Sequence, residues 1–178
     1  MFTLDPLALA LLAVLCAIAA FTDMRERRIP NWLVASGLAL GFVLNLFLYS
    51  TEGLKNAGYG LGLAMLIYLP LFVLRGMGAG DVKLMAAIGA IVGPGNWLRI
   101  FIFTAVMGGF VAILFILYRG ALGSAMKNIG RILMSSIRGQ APYQNHPELD
   151  VTSGKGMSLP HGAIIALGAY LFIFLNLA

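Results

Sequence analysis

Apolar and polar positions alternate along the chain in long blocks, with apolar stretches separated by short junctions that are polar or rich in glycine and proline. The apolar stretches cover residues 6–21, 31–49, 57–74, 82–92, 97–118 and 160–177. Most approach the length of about 20 residues that a helix needs to cross a bilayer. We therefore expect an all-α membrane bundle of about six transmembrane helices, formed by residues 1–178 as a single domain.

The composition agrees with a membrane protein, because 60% of the residues are hydrophobic and only 11% are charged. A soluble domain carries about 25% charged residues. The single cysteine, Cys16, lies in an apolar stretch, so neither a disulfide framework nor a paired-cysteine zinc site is expected. The first stretch follows Asp5 instead of the basic segment of a secretory signal, and we expect it to be retained as a helix.

Basic residues give the chain a net charge of +5, but they are spread over the junctions between apolar stretches. This distribution is typical of membrane orientation, so we expect the lipid bilayer as a partner and no nucleic acid. Three junctions hold most of the basic residues: Arg25, Arg27 and Arg28, then Arg75 and Lys83, then Arg119, Lys127, Arg131, Arg138 and Lys155. Because basic junctions face the cytoplasm, both termini are expected on the opposite, periplasmic side.

The last basic junction, residues 119–158, is long enough to form structure of its own. Five apolar residues recur there at helical spacing while the basic residues fall on the other side. The apolar residues are Leu122, Met126, Ile129, Leu133 and Ile137. We expect an amphipathic helix on the cytoplasmic membrane surface, followed by a mobile polar loop. Its basic face would rest on anionic lipid, which we favour, or dock a substrate.

The chain offers few carboxylates for acid chemistry. There are seven of them: Asp5, Asp23, Glu26, Glu52, Asp81, Glu148 and Asp150. Asp23 ends the first apolar stretch, where the partial negative charge of a helix C-terminus disfavours an acid. Asp81 opens the fourth stretch. Because the first span enters the cytoplasm and the fourth leaves it, both acids are expected on the same side of the membrane as possible neighbours.

The short fourth stretch bears on the depth of Asp81. It ends near Gly93, about 12 residues or roughly 18 Å beyond Asp81, whereas the hydrocarbon core is about 30 Å thick. Asp81 is therefore expected below the membrane surface. Gly76, Gly78 and Gly80 precede it. We expect these glycines to allow either the close approach of another segment or a turn through positive φ.

Two carboxylates in one partly apolar pocket cannot both ionise easily, and they titrate as a pair. One can accept a proton from water as it attacks a peptide carbonyl, and the other can donate a proton to the oxyanion and the leaving amine. Simpler interpretations are that Asp81 caps a helix and that Asp23 pairs with Arg27 or Arg28. The alternative function is a non-catalytic membrane scaffold or a small transporter subunit that uses Asp81 as a polar contact or ion relay.

Three motifs occur in order along the chain: "TDMRERRIPN" with Asp23, "GAGDVK" with Asp81, and "LPHGAIIALGAY" near the end. Together they resemble the GxGD prepilin peptidases, the type IV leader peptidases of bacteria (peptidase family A24). Within that family the short chain resembles the TadV- and CpaA-like subgroup that serves tight-adherence (Flp) pili.

The resemblance implies an aspartic endopeptidase of the bacterial inner membrane, with prepilins as substrates and with no cofactor or metal. It implies that Asp23 and Asp81 are catalytic and that Gly78 and Gly80 shape the second active-site segment. Lys83 matches a motif lysine, with either an electrostatic role or a snorkelling side chain at the interface. The family removes the short basic leader of a prepilin at the cytoplasmic membrane face, just before the hydrophobic segment.

Two departures from the family pattern limit what the resemblance implies. Larger members carry paired cysteines in a zinc-binding segment and also methylate the new N-terminus. This chain has a single cysteine, so methyl transfer is not expected. His161 stands where a tyrosine is usual. It either tunes the two acids or packs against its neighbours, and we expect packing.

Overall fold

The computed structural model describes residues 4–75, 77–118, 120, 123 and 160–177. Regular structure in these ranges consists of four helices: α1 (Pro6–Glu26), α2 (Asn31–Val73), α3 (Ala79–Tyr118) and α4 (His161–Leu177). Three of them are long and apolar enough to cross a membrane, and α4 is a shorter apolar helix. The prediction of an all-α membrane bundle is confirmed. The predicted surface helix and loop at 119–158 lie outside the described residues, apart from positions 120 and 123.

The described part of the chain has four helices, of which two are broken by a turn, where the sequence predicted about six. α2 and α3 each contain two of the predicted spans, joined at one residue with non-helical backbone angles. These residues are Ser50, with φ 55° and ψ −141°, and Gly93, with φ 74° and ψ 172°. These breaks fall at the predicted boundaries between spans, and helical structure continues on both sides of a single residue.

The first half of α2 runs parallel to the first half of α3. Gly37 lies opposite Ala87, and four residues later Gly41 lies opposite Ile91, so both helices advance in the same direction. A side chain at Gly41 would press against the backbone of α3, with an added Cβ only 3.1 Å from the Ile91 nitrogen. The absence of a side chain therefore lets the two helices approach closely.

The second half of α2 runs antiparallel to the same part of α3. Asn56 contacts Gly93, and four residues later the backbone of Gly60 contacts the backbone of Gly89. An added Cβ at either Gly60 or Gly89 would clash with the carbonyl oxygen of the other residue. Because the two halves of α2 follow α3 in opposite directions, the helix turns back on itself at Ser50.

The turn in α3 is stabilised by a buried asparagine. Gly93 adopts a positive φ that side chains rarely tolerate. Pro94 follows it and has no backbone N–H to donate to the carbonyl of Ala90. The side-chain amide of Asn45 supplies a donor instead, at 3.1 Å from the Ala90 oxygen and 3.0 Å from the Ile91 oxygen. The helix break therefore leaves these carbonyls hydrogen-bonded.

The remaining segments close the bundle around the first half of α3. Beyond its turn, α3 returns along itself, and Trp97 Nε1 donates a hydrogen bond of 3.0 Å to the Met85 carbonyl. The Trp97 ring packs edge-on against Tyr68 of α2, with ring centroids 6.0 Å apart. α4 packs on α1 and α3, and the Tyr170 hydroxyl donates to the Ala13 carbonyl at 2.9 Å.

The first half of α3 is the centre of the bundle. Every residue from 81 to 93 is buried except Lys83. An apolar surface on all sides of a helix is typical of such a position. The turns at Ser50 and Gly93 lie near one end of the bundle. The last turn of α1 lies at the opposite end, together with the starts of α2, α3 and α4.

Candidate active site

Asp23 lies in the last turn of α1 and is only 7% exposed. The helix ends at Arg27, which adopts a left-handed conformation with φ 54° and donates its N–H to the Asp23 carbonyl at 3.0 Å. A buried carboxylate needs hydrogen-bond donors to offset its lost hydration. The backbone N–H of Gly162 provides one, at 2.8 Å from Asp23 Oδ2.

Gly162 allows the start of α4 to approach Asp23 closely. An added Cβ at this position would lie 3.0 Å from Asp23 Oδ2 and 3.1 Å from Asp23 Cβ. Sequence reasoning assigned Gly162 no role. Its position directly after His161 in the "LPHG" motif was the available signal, but the contact joins residues 139 positions apart.

Asp81 is the third residue of α3 and is 9% exposed. Its carboxylate accepts a hydrogen bond from the backbone N–H of Gly78, and its own N–H donates to the Gly78 carbonyl at 3.2 Å. An acid at the third helical position that reaches back to the preceding turn is half of a capping box. Asp81 therefore caps α3, as the simpler interpretation of the sequence expected, but it does so from the third helical position and not from the N-cap. A carboxylate has about four acceptor positions, so capacity remains for other partners.

Gly78 and Gly80, which precede Asp81, allow neighbouring side chains to lie close to the backbone. An added Cβ at Gly78 would lie 3.2 Å from Asp81 Oδ2, and one at Gly80 would lie 3.4 Å from Ile29 Cβ. Neither glycine adopts a positive φ, so close approach is the alternative that applies to both. Arg75 adopts the left-handed conformation in this junction instead, with φ 56°. Gly76 lies outside the described residues.

The two acids line one cavity of about 330 Å³. They are also near enough for their charges to interact. The cavity combines acidic, basic and backbone surfaces from α1, α2, α3 and the junctions between them. Its lining residues are Asp23, Arg27, Arg28, Ile29, Asn31, Gly78, Ala79, Gly80, Asp81 and Lys83. All five site residues that the sequence predicted therefore contribute to the same cavity.

Lys83 has a defined contact at the edge of this cavity. Its Nζ donates a hydrogen bond of 2.9 Å to Oδ1 of Asn31, which is the first residue of α2. The side chain is exposed, in contrast to its neighbours on α3. The contact joins the starts of α2 and α3 beside the acids, and the sequence did not suggest it.

A larger cavity, of about 430 Å³, lies at the opposite end of the bundle, near Tyr49 and Gly95. Its carboxylate, Glu52, is 77% exposed and pairs with Lys55 at 2.8 Å. An exposed, paired acid of this kind is poorly suited to proton transfer. Among the residues that the structure describes, no group of three or more His, Cys, Asp or Glu side chains is placed to hold a metal ion. We therefore take the smaller cavity as the candidate active site.

The sequence matches the model of a known protein family. The sequence profile of the type IV leader peptidase family matches residues 10–113, more than half of the chain. The chain belongs to the type IV leader peptidase family. The matched region of this leader peptidase contains Asp23, Asp81 and Lys83. Searches of curated proteins and of solved structures found no match.

Family membership and the apolar helices together make this leader peptidase a membrane-embedded peptidase of the prepilin-processing type. The matched region ends before α4, although Gly162 of α4 supplies a hydrogen bond to Asp23. The candidate site therefore includes a contact from outside the matched region.

Proposed function

We propose that the protein is an aspartic endopeptidase that removes the short leader from prepilins of the Flp or type IV-like class. Asp23 and Asp81 form its catalytic pair. The observation that carries this proposal is the pair of buried carboxylates on one open cavity, in a chain of the leader peptidase family. Buried acids at the ends of membrane helices are costly, and such residues are commonly functional.

The chemistry follows from the proximity of the two acids. Adjacent carboxylates disfavour double ionisation, so one proton is shared by the pair. The ionised member accepts a proton as water attacks the peptide carbonyl carbon, and the protonated member donates to the developing oxyanion. Transfer of a proton to the leaving nitrogen then accompanies cleavage of the C–N bond. The products are a carboxylic acid on the leader and a free amine on the pilin.

Backbone contacts preorganise the two acids. Gly162 N–H binds Asp23 Oδ2, and Gly78 N–H binds the Asp81 carboxylate. A backbone donor has little freedom to move, so each carboxylate keeps a defined position before substrate arrives. Because these two residues are glycines, the backbone can lie close to both carboxylates.

Charge distribution supports cleavage at the cytoplasmic face of the bacterial inner membrane. The acid end of the bundle carries most of the basic residues of the described segments, namely Arg25, Arg27, Arg28, Arg75 and Lys83. The opposite end carries Lys55 and Arg99. By the positive-inside rule, the acid end faces the cytoplasm. The start of α1 and the end of α4 then face the periplasm.

Cleavage of a co-expressed Flp-type prepilin, followed as a gel shift, tests the proposal. The native chain should cut, and Asp23→Asn and Asp81→Asn should each reduce cleavage by at least about 100-fold at matched membrane levels. Glu52→Gln is the matched control, because this acid is exposed at the other end of the bundle. Cleavage that survives either aspartate substitution would show that the pair is not catalytic.

A further inference from the structure

Asn31 lines the acid cavity together with Asp23 and Asp81. Its side chain is oriented by Lys83, whose Nζ donates to Asn31 Oδ1 at 2.9 Å. Lysine has hydrogen-bond donors and no acceptor, so the amide oxygen of Asn31 must face Lys83. The Nδ2 group has no acceptor among the residues that the structure describes. Two amide N–H donors are therefore available at the edge of the cavity.

The junction that carries Asn31 is held against the segment that carries Asp81. Ile29 packs at Gly80, where an added Cβ would lie 3.4 Å from Ile29 Cβ. Pro30 restricts the backbone between Ile29 and Asn31, because its ring fixes φ. Asn31 is held both by its own side-chain hydrogen bond and by the contact two residues earlier. Its amide is therefore preorganised relative to Asp81 before substrate binds.

We propose that Asn31 is a catalytic residue whose Nδ2 group donates a hydrogen bond to the carbonyl oxygen of the peptide bond that is cut. Lys83 is the positioning residue that keeps the amide in this orientation. The inference rests on the proposed peptidase function. The hydrogen bond transfers no proton. Together with the protonated aspartate, it stabilises the negative charge that develops on the carbonyl oxygen as water attacks.

The size and charge of the cavity support an amide in this role. Its volume of about 330 Å³ is at the small end of ligand pockets, so it takes only the part of a substrate beside the cut bond. Arg27 and Arg28 also line it and carry donors. A cation close to the two acids, however, favours loss of the proton that they share. A neutral amide stabilises the oxyanion and leaves that proton in place.

Steady-state cleavage of an Flp-type prepilin by detergent-solubilised protein tests the inference. Asn31→Ala should lower kcat by about 100-fold, a typical effect of losing one oxyanion donor, with KM within about twofold of native. Asn176→Ala is the matched control, because it makes the same change near the end of α4, away from the acid cavity. It should leave kcat and KM unchanged. A native kcat in Asn31→Ala, or a higher KM at native kcat, would overturn the inference.

Lys83→Met separates the amide from the contact that orients it. This substitution breaks the hydrogen bond to Asn31 and leaves the amide present but able to turn. We expect kcat to fall by between about twofold and tenfold, less than in Asn31→Ala. The double variant should match Asn31→Ala, because the lysine acts through the amide.

Other roles of this contact predict different results. If it only joins α2 to α3, Asn31→Ala and Lys83→Met break the same bond and should lose activity equally. If the lysine charge acts directly on the acids, Lys83→Met should lose more activity than Asn31→Ala. The two losses should then multiply in the double variant. Either result would overturn the inference.

Thermal unfolding provides a readout that does not depend on activity. Asn31 and Lys83 are both exposed, and Asn31→Ala and Lys83→Met remove the same hydrogen bond. Their Tm values should therefore be lowered by similar, small amounts, although their kcat values differ. A much lower Tm in Asn31→Ala alone would attribute its loss of activity to the structure and would contradict a catalytic role.

The two proposals fail in different ways. If both aspartate variants are inactive and Asn31→Ala keeps the native kcat, the peptidase proposal stands and the amide inference is wrong. If the native chain cuts no prepilin, the peptidase proposal is wrong, and the inference falls with it.

Discussion

The backbone N–H of Gly162 donates a hydrogen bond of 2.8 Å to Oδ2 of Asp23, across 139 residues of chain. The contact joins the first turn of α4 to the last turn of α1. It supplies a donor to a buried carboxylate, and the glycine leaves room for that carboxylate. The setting of Asp23 is therefore complete only when α4 has packed against α1.

Replacement of Gly162 by alanine should impair catalysis. An added Cβ would lie 3.0 Å from Asp23 Oδ2, so the start of α4 or the carboxylate must shift. Small displacements of a catalytic group cost up to about 100-fold in rate, and we expect a loss between tenfold and 100-fold. The initial rate of prepilin cleavage at matched membrane levels measures it. Gly109→Ala is the control, since an added Cβ there meets no atom within 4 Å. A native rate in Gly162→Ala would contradict the prediction.

Two substitutions of Asp81 should separate its chemistry from its role in the helix. Asp81→Asn removes the ionisable carboxyl group, so the chain should lose cleavage. It keeps an oxygen that can accept a hydrogen bond from the Gly78 N–H, so its Tm should stay at or above the native value. Asp81→Ala should lose cleavage as well. It should also be less stable than Asp81→Asn by about 1 kcal/mol, because a helix cap is lost. Equal stability of the two variants in thermal unfolding would argue against the capping contact.

Inhibitor sensitivity should follow from the proposed acid pair. Chelators such as EDTA, and reagents that modify serine or cysteine, should leave the cleavage rate within about twofold of the untreated rate. The only cysteine, Cys16, is fully buried within the bundle. The prediction is checked by preincubation of detergent-solubilised protein with each reagent before prepilin is added. Loss of activity in EDTA that returns with added metal would be incompatible with a metal-free pair.

The contact between Gly60 and Gly89 should be a sensitive point for stability. Because an added Cβ at either position meets a backbone carbonyl, Gly60→Ala and Gly89→Ala should each destabilise the bundle by about 1–3 kcal/mol. Gly58→Ala and Gly62→Ala flank the first site on the same helix and have open space at the Cβ position. Thermal unfolding in detergent should show a lower Tm for Gly60→Ala and Gly89→Ala, and a native Tm for the two controls. Equal Tm values in all four variants would indicate that α2 and α3 can move apart at this contact without loss of stability.

Much of the arrangement could be predicted from the spacing of apolar residues. A bilayer requires long apolar segments that alternate in direction, so the end of the first and the start of the fourth must share one side. That reasoning placed Asp23 and Asp81 together, and both line the same cavity. The motifs around them also named Gly78, Gly80 and Lys83, which line it too.

Other features depend on contacts that no local pattern carries. The turn at Gly93 is accommodated because Asn45, far away in sequence, supplies the donor that Pro94 lacks. Glycine and proline in the sequence predicted a break in the helix there, but they could not show that a single non-helical residue makes the turn. The hydrogen bond from Gly162 likewise arises only when α4 packs beside Asp23.

The enclosed first half of α3 separates Asp81 from the surrounding lipid. From residue 81 to residue 93 only Lys83 reaches the surface, so hydrocarbon chains touch other helices and not this one. Exchange of the bilayer for detergent should then alter how a pilin helix reaches the site, while the acid remains surrounded by the bundle and its cavity. Lipid composition would govern the encounter with substrate, and the bundle itself would govern the bond-breaking step.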